Sequence, residues 1–357
     1  MSSRRRRHLR RGGGSSQHRL PMLGGEPVTA GRGRWARRIA TAAPWPLLVG
    51  CSGGGTHLSF LDPQGPVAAI QRLHFLEVFG LLAVFVALPV FLVTPWFAWR
   101  YRYGAAARYA PKWNFSAALD IACWAGPTVI LALLGALVWG STHALDPYKP
   151  LASKQPALRV QVIGYDWKWL FIYPDQGVAS VGELALPAGR PVALQLTSAT
   201  VMQSLLIPAL GSQIYAMGGM VTQLHLEAAH PGRFLGENTL YDGDGFPQEK
   251  FTAIAMPPSG FEAWVRKVRA SGLPMNTAAL DAISSRTTRA QLIQAVDKAR
   301  SRDGNVYYRG VSAALFPAVV AATKDGTAVG AAAFGNAGSA ATSPTSQPPN
   351  PTRESLR

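Results

Sequence analysis

Two aspartates alternate with glycines in the run Asp242-Gly243-Asp244-Gly245, a composition found in loops that hold a cation. A calcium loop needs six or more oxygen ligands and an acid near its far end. Glu249 follows Asp242 by only seven residues, and the loop contains no third inner acid. The sequence therefore favours an ordinary β-turn over a calcium site.

A second pair of metal-ligand types stands at His225 and Glu227, two residues apart. On a strand these side chains would share one face, as in a zinc-binding HxE pair. No cysteine pair follows to complete a zinc site, so a solvent-facing strand is the better interpretation. No nucleophile, general base or nucleotide loop stands out elsewhere. The sequence thus predicts no catalytic centre in this region.

Two apolar segments precede that region, each near the roughly 20 residues that cross a bilayer. They are residues 78–99 and 121–139, and tryptophans stand near their ends, as in interfacial belts. The intervening loop, 100–120, is basic up to residue 112 and has no acid before Asp120. The positive-inside rule places this loop in the cytoplasm and both flanks outside. The sequence predicts a two-pass transmembrane hairpin over residues 78–139.

The N-terminus predicts an export signal over residues 1–50. This segment holds eleven arginines and one glutamate, and a short apolar run then leads to Leu48-Val49-Gly50-Cys51, which resembles a lipoprotein cleavage site. Cys51 would then carry acyl chains, and residues 51–77 would lie outside the membrane. An incidental cysteine stays open, and Met22 is an alternative start. Because the rest of the +16 charge is scattered, no nucleic-acid partner is expected.

Beyond the spans, short runs rich in Val, Leu and aromatic residues alternate with Gly, Pro and Asp. This pattern predicts an all-β domain over residues 158–257. Helical spacing resumes at Phe261, Trp264, Val265 and Val268, which predicts a small helical region over 258–320. Residues 321–357 are rich in Ala, Gly, Ser and Pro, so we expect a disordered tail there.

The junction "STHALDPYKP", the strand "IGYDWKWLFIYP" and the segment "ATVMQSLLIPALGSQIYAMGGM" resemble subunit II of the haem–copper respiratory oxidases. The resemblance covers most of the chain from residue 48 to about 317. It implies that the extracytoplasmic β-domain is a cupredoxin-like Greek-key barrel. In the cytochrome c oxidases of this family the domain holds a dinuclear copper centre, bridged by two cysteine thiolates.

The same resemblance implies that this chain has lost every side-chain ligand of that centre. The positions that correspond to the ligands, called here the copper-position residues, carry Gln203, Leu240, Asp242, Asp244, Gln248 and Phe251. Bridging thiolates are what make such a site, and none is present. This pattern is similar to the bo-type ubiquinol oxidases, whose subunit II lacks the copper and is commonly a lipoprotein.

The resemblance implies a non-catalytic subunit II of a proton-pumping ubiquinol oxidase in the bacterial inner membrane, with the β-domain on the periplasmic side. It implies that haems and catalytic copper belong to subunit I, that other oxidase subunits are partners, and that quinol arrives within the membrane. Asp120 matches an acid near a proton channel into subunit I; an interfacial acid that reaches water is the alternative. Two other functions stay open: a cytochrome c oxidase subunit with an atypical copper site, and a membrane-tethered β-domain that serves as an assembly module.

Overall fold

A computed structural model describes residues 61–104, 115–211, 213–296 and 304–326. Its first part is one long rod made of α1 (Pro66–Leu82), a π-helical turn (Ala83–Ala87) and α2 (Leu88–Arg100). The π turn has a local cause, because Pro89 has no N–H to continue the normal helical ladder. Leu88 N–H instead donates to Ala83 O, five residues back. The rod begins at Pro66, well before the predicted span starts at residue 78.

The second long helix is α3 (Ala117–Ala144), capped by Ser116, whose Oγ accepts from Leu119 N–H at 3.5 Å. Both rods are long and apolar enough to cross a membrane. No residue of α2 or α3 is buried, and Phe91, Trp124 and Trp139 each expose more than two thirds of their surface. Apolar side chains that exposed require lipid or a partner protein around them.

The β-domain consists of two sheets that face each other. Its strands are β1 (Leu158–Tyr165), β2 (Lys168–Tyr173), β3 (Val178–Val181), β4 (Glu183–Pro187), β5 (Val192–Ser198), β6 (Gln203–Leu206), β7 (Gln213–Ala216), β8 (Thr222–Leu226), β9 (Gly232–Asn238), β10 (Lys250–Met256), β11 (Leu273–Pro274) and β12 (Val306–Arg309). One sheet has the order β11-β12-β3-β2-β1-β5-β8 and the other β4-β10-β9-β6-β7. Strands β1–β5, β4–β10 and β11–β12 pair in parallel, and the other neighbours are antiparallel. The predicted order of two long apolar helices followed by a mostly-β domain is confirmed.

Strand β2 shows why the domain has two apolar cores. Trp169, Phe171 and Tyr173 point between the sheets. Leu170 and Ile172 point the other way, into a second core with helices of the C-terminal region. Since successive side chains of a strand face opposite sides, a strand covered on both faces reads as a continuous apolar run.

The C-terminal region corrects two predictions. It contains α4 (Pro258–Ser271), α5 (Thr277–Ser284), α6 (Arg289–Ala295) and α7 (Leu315–Lys324), but it also adds β11 and β12 to the edge of the first sheet. The region predicted as helical is therefore part of the β-domain as well. Helix α7 continues to Lys324, so the first residues of the predicted disordered tail are helical. Residues 327–357 lie outside the described residues.

Buried Glu183 attaches this C-terminal region to the barrel. Its Oε1 accepts from Trp264 Nε1 at 2.8 Å, and its Oε2 accepts from Asn305 Nδ2 at 3.2 Å and from Tyr307 OH at 3.0 Å. These donors lie on α4, before β12 and on β12. One carboxylate on β4 thus holds three separate points of the C-terminal region with charge-assisted hydrogen bonds.

The membrane helices are joined to the β-domain by backbone contacts. Gln64 N–H donates to Ala209 O, and its carbonyl accepts from Ala229 N–H, both at 2.8 Å. A Cβ at Gly65 would lie 2.1 Å from Glu227 O, so only glycine permits this approach.

His225 also belongs to this joint. Its backbone N–H donates to Pro147 O at 3.2 Å, and its Nδ1 lies 3.0 Å from the same oxygen. Because a carbonyl oxygen only accepts, the proton must be on Nδ1. The prediction of a solvent-facing His225 is wrong, because the side chain is buried against the segment that follows α3.

Candidate functional site

The copper-position residues do not form one ligand shell. Gln203 on β6 and Phe251 on β10 are buried, whereas Asp244 and Gln248 are exposed and Leu240 is half-buried. The structure brings only one polar pair of the set together: Gln203 Nε2 donates to Asp242 Oδ2 at 3.2 Å. Asp242 is thereby tied to the barrel, and the exposure of Asp244 agrees with a turn rather than a cation loop.

Gln203 is held by a second hydrogen bond and by a close approach. Its Nε2 also donates to Tyr165 O at 2.8 Å, which fixes the orientation of the amide. The Oε1 atom points toward Gly164, where a Cβ would lie 1.8 Å away. Glycine at position 164 therefore makes room for the glutamine, which bridges β1 and the loop after β9.

Phe251 fills the apolar side of the same end of the barrel. Its ring centroid lies 4.9 Å from that of Phe171 and 6.4 Å from that of Trp169. The ring covers Gly236, where a Cβ would lie 2.1 Å from a ring atom. A phenyl ring packed in this way supplies dispersion contacts and no electron pair for a metal.

Glu249, which sequence reasoning considered only as a calcium ligand, is a central residue of the site. It is buried, and its Oε2 accepts from Asn238 Nδ2 at 2.9 Å. Burial, reinforced by the neighbouring Asp242 carboxyl, raises the pKa of Glu249 to about 9. The Glu249 carboxyl is therefore protonated at neutral pH. We call Gln203, Asn238, Asp242 and Glu249 the polar cluster.

Lys168 lies beside the polar cluster and is buried as well. Its Nζ donates to three backbone carbonyls: Asp166 O at 3.1 Å, Ser285 O at 2.8 Å and Thr287 O at 2.7 Å. Burial lowers the pKa of Lys168 to about 8, against the attraction of Asp166. Lys168 thus fastens the α5–α6 loop to the end of the barrel.

Trp167 closes the site from the side of that loop. It has a left-handed backbone with φ of 61°, and its Nε1 donates to Asp242 O at 3.4 Å. The Arg286 guanidinium lies 5.1 Å from the centroid of the indole ring, within cation–π range. The ring packs onto Gly245, where a Cβ would lie 2.1 Å from it. Gly245 therefore serves this contact and not a cation.

The donor set does not fit a dinuclear copper centre. Such a centre needs bridging thiolates, and the single cysteine in the described part of the chain, Cys123, lies exposed on α3. Within the described ranges, no three His, Cys, Asp or Glu side chains come close enough to hold a metal ion. The arrangement can hold protons and hydrogen bonds but offers no soft ligand.

Two of the predicted functional residues lie away from this site. Asp120 is exposed in the first turn of α3, where its charge complements the helix dipole. Cys51 lies outside the described residues.

Sequence reasoning missed three residues of this site, Lys168, Trp167 and Asn238, and considered Glu249 only as a calcium ligand. One signal was available for Lys168. In the strand "KWLFIY" it is the only charged residue among apolar ones, which indicates a buried cation that needs acceptors. Nothing local in the sequence indicates that its acceptors come from residues 285–287.

Comparison with known proteins places the chain among oxidase subunits. It is 45% identical to the cytochrome bo(3) ubiquinol oxidase subunit 2 of Pseudomonas aeruginosa over 219 residues, which are 61% of this chain and 66% of that protein. It is 45% identical to the ubiquinol oxidase subunit 2 of Acetobacter aceti over 230 residues, 63% of this chain and 72% of that protein. The Pseudomonas putida cytochrome bo(3) ubiquinol oxidase subunit 2 is 42% identical over 239 residues, 67% and 74% of the two chains.

Solved structures that resemble part of the chain include two oxidase chains. The periplasmic domain of subunit II of the Bradyrhizobium japonicum cytochrome oxidase is 24% identical, covering 32% of this chain and 96% of that chain, with a TM-score of 0.30. A chain of a haem–copper terminal oxidase dimer is 15% identical, covering 39% and 99%, with a TM-score of 0.30. No family model matches the chain.

Proposed function

Because this chain belongs to the family of subunit 2 of the bacterial ubiquinol oxidases, we propose that it is the non-catalytic subunit II of a proton-pumping quinol oxidase. The observation that carries the proposal is the polar cluster. Gln203 and Asp242 stand at two copper-position residues, they bond to each other, and Phe251 fills the adjoining space. The described residues of the β-domain bring no three potential metal ligands together, which supports a domain without a copper relay.

The route of the electrons follows from this chemistry. A soluble donor protein delivers electrons from the water phase and needs a metal relay in the outer domain. A quinol is apolar and reaches the enzyme within the bilayer, so the electrons can pass directly to a haem in the membrane part. We infer that quinol is oxidised in subunit I, and that subunit I holds the haems and the catalytic copper.

The exposed helices support assembly with subunit I. The rod α1–α2 and helix α3 leave large apolar side chains uncovered along their whole length, among them Phe91, Trp124 and Trp139. One side can face lipid and another the partner subunit. Since the joint at Gln64 and His225 fixes these helices to the barrel, docking of the helices would also orient the β-domain.

Topology and anchoring are part of the proposal. The basic loop around Arg100 and Arg102 supports a cytoplasmic location between the two spans, with the β-domain on the periplasmic side of the inner membrane. We infer that Cys51 is acylated after export. Two or more acyl chains would hold the N-terminus stably, since each buried CH₂ contributes about 0.8 kcal/mol.

Asp120 is the residue of this chain that we propose for proton uptake. It is exposed at the start of α3, beside the loop placed in the cytoplasm. A carboxylate there can collect protons from water and pass them toward subunit I. Asp120→Asn should slow quinol-dependent oxygen uptake while haem content stays unchanged. Equal turnover in the variant would remove Asp120 from the proposal.

The test of the function is to purify the full-length tagged chain from membranes with the proteins that stay bound. We expect haem spectra in the preparation and oxygen uptake that is driven by ubiquinol and not by reduced cytochrome c. Rapid uptake with reduced cytochrome c would support the copper-containing alternative. A preparation without a haem-bearing partner would support the assembly module.

A further inference from the structure

We propose that a single proton, held between Asp242 Oδ1 and Glu249 Oε1, binds the loop after β9 to the barrel at the position where copper-containing relatives of this fold hold their metal. This is a proton-binding site, and it goes beyond the proposed function. It concerns the β-domain alone and is independent of the electron donor.

Hydrogen bonds fix the orientation of both carboxyl groups. Asn238 Oδ1 accepts from the backbone N–H groups of Ser204 and Leu240, at 2.9 and 3.0 Å. Its Nδ2 must therefore face Glu249 Oε2, 2.9 Å away. On the other side, Gln203 Nε2 donates to Asp242 Oδ2. Each acid thus uses one oxygen to accept from an amide and leaves the other for its neighbour.

The two remaining oxygens, Asp242 Oδ1 and Glu249 Oε1, are inaccessible to solvent, and no donor group among the described residues reaches them. The Asp242 carboxyl interacts with Glu249 through a side-chain hydrogen bond and through its charge, and both effects raise the pKa of Glu249. Two ionised carboxylates in that position would repel, and each would have a buried oxygen without a donor. One proton removes both problems, because one acid then donates to the other.

The charges that face the pair also favour a proton over a metal ion. Asp166 lies in the β1–β2 turn, Lys168 is the first residue of β2, and Arg286 of the α5–α6 loop stacks on Trp167. The raised pKa of Glu249 agrees with a carboxyl that keeps its proton at neutral pH. Gln203 Oε1, the remaining buried oxygen of the polar cluster, points toward Gly164 instead of the acids. Too few oxygens converge for a hard cation.

Infrared difference spectroscopy on the purified oxidase complex tests the site. At pH 7 we expect the C=O stretch of a protonated carboxyl, shifted in D₂O, to be present in the unmodified protein and lost in Glu249→Gln. Asp242→Asn should shift this band, because the partner of the shared proton has changed. Glu262→Gln is the matched control, since Glu262 is exposed on α4, and it should leave the band unchanged.

The same spectra define the results that would overturn the proposal. A band that is identical in the unmodified protein and in Glu249→Gln would show that Glu249 is ionised. Stoichiometric calcium or zinc that disappears in Glu249→Gln would replace the proton with a metal ion. If neither variant assembles, the C=O band of the unmodified protein is followed as the pH is raised. Loss of the band with a midpoint above pH 7 supports the site, and loss below pH 6 contradicts it.

Discussion

Lys168 provides the sharpest test of how the end of the barrel is held together. Lys168→Met keeps most of the side-chain volume but removes the ammonium that donates to Ser285 O and Thr287 O. Hydrogen bonds to charged groups contribute about 1.5–3 kcal/mol each, so these two contribute about 3–6 kcal/mol. The desolvation free energy of the buried ammonium opposes this contribution.

That cost follows from the pKa of Lys168, which burial lowers from 10.5 to about 8. A change of this size corresponds to about 3 kcal/mol. The hydrogen bonds outweigh it, and methionine leaves the carbonyls without a donor. We therefore expect Lys168→Met to lower the free energy of unfolding by about 1–3 kcal/mol.

Hydrogen–deuterium exchange on the full chain in its complex is the appropriate assay. Residues 277–295, which include α5 and α6, should exchange faster in Lys168→Met than in the unmodified protein. Lys154→Met is the control, because Lys154 is exposed and should change nothing. The pKa of Lys168 is lower in the folded protein than in the unfolded chain, so between about pH 8 and 10.5 the folded protein binds fewer protons at this residue than the unfolded chain does. The contribution of Lys168 to stability therefore rises with pH in this range. Unchanged exchange in Lys168→Met would refute the reasoning.

Three further substitutions test the remaining contacts. Glu183→Gln replaces an acceptor oxygen by an amide NH₂ group that faces other donors, so the free energy of unfolding should fall by about 2–4 kcal/mol and exchange in α4 should increase. Gly65→Ala should loosen the joint, because the added Cβ meets Glu227 O, and limited proteolysis near residue 147 should accelerate. Glu249→Gln should flatten the pH dependence of the melting temperature. Because the pKa of Glu249 is raised in the folded protein, its contribution to stability is fully present below about pH 4.5 and is lost as the pH rises through about 9. No difference between the melting profiles would contradict that assignment.

The sequence was informative where the determinants are local. Runs of apolar residues near 20 in length predicted both membrane helices, and alternation in strands such as β5 and β8 predicted the β-domain. These features depend on composition and short spacing, which a single sequence displays.

Contacts between distant segments were not predictable from the sequence. Two acceptors of Lys168, Ser285 O and Thr287 O, lie more than 100 residues away, and Glu183 finds its donors on α4 and around β12. The short strand β12 was assigned to a helical region because four residues give too little periodicity to identify a strand. Glu249 was judged by its spacing to Asp242 in a calcium loop, whereas its role depends on burial and on Asn238.

The central claim is that side chains, and not copper, complete this end of the barrel. Native mass spectrometry of the purified complex, with this chain released and weighed after incubation with copper, tests it most directly. We predict a mass for the chain that includes no copper ion. A chain that retains two copper ions per molecule would contradict the account.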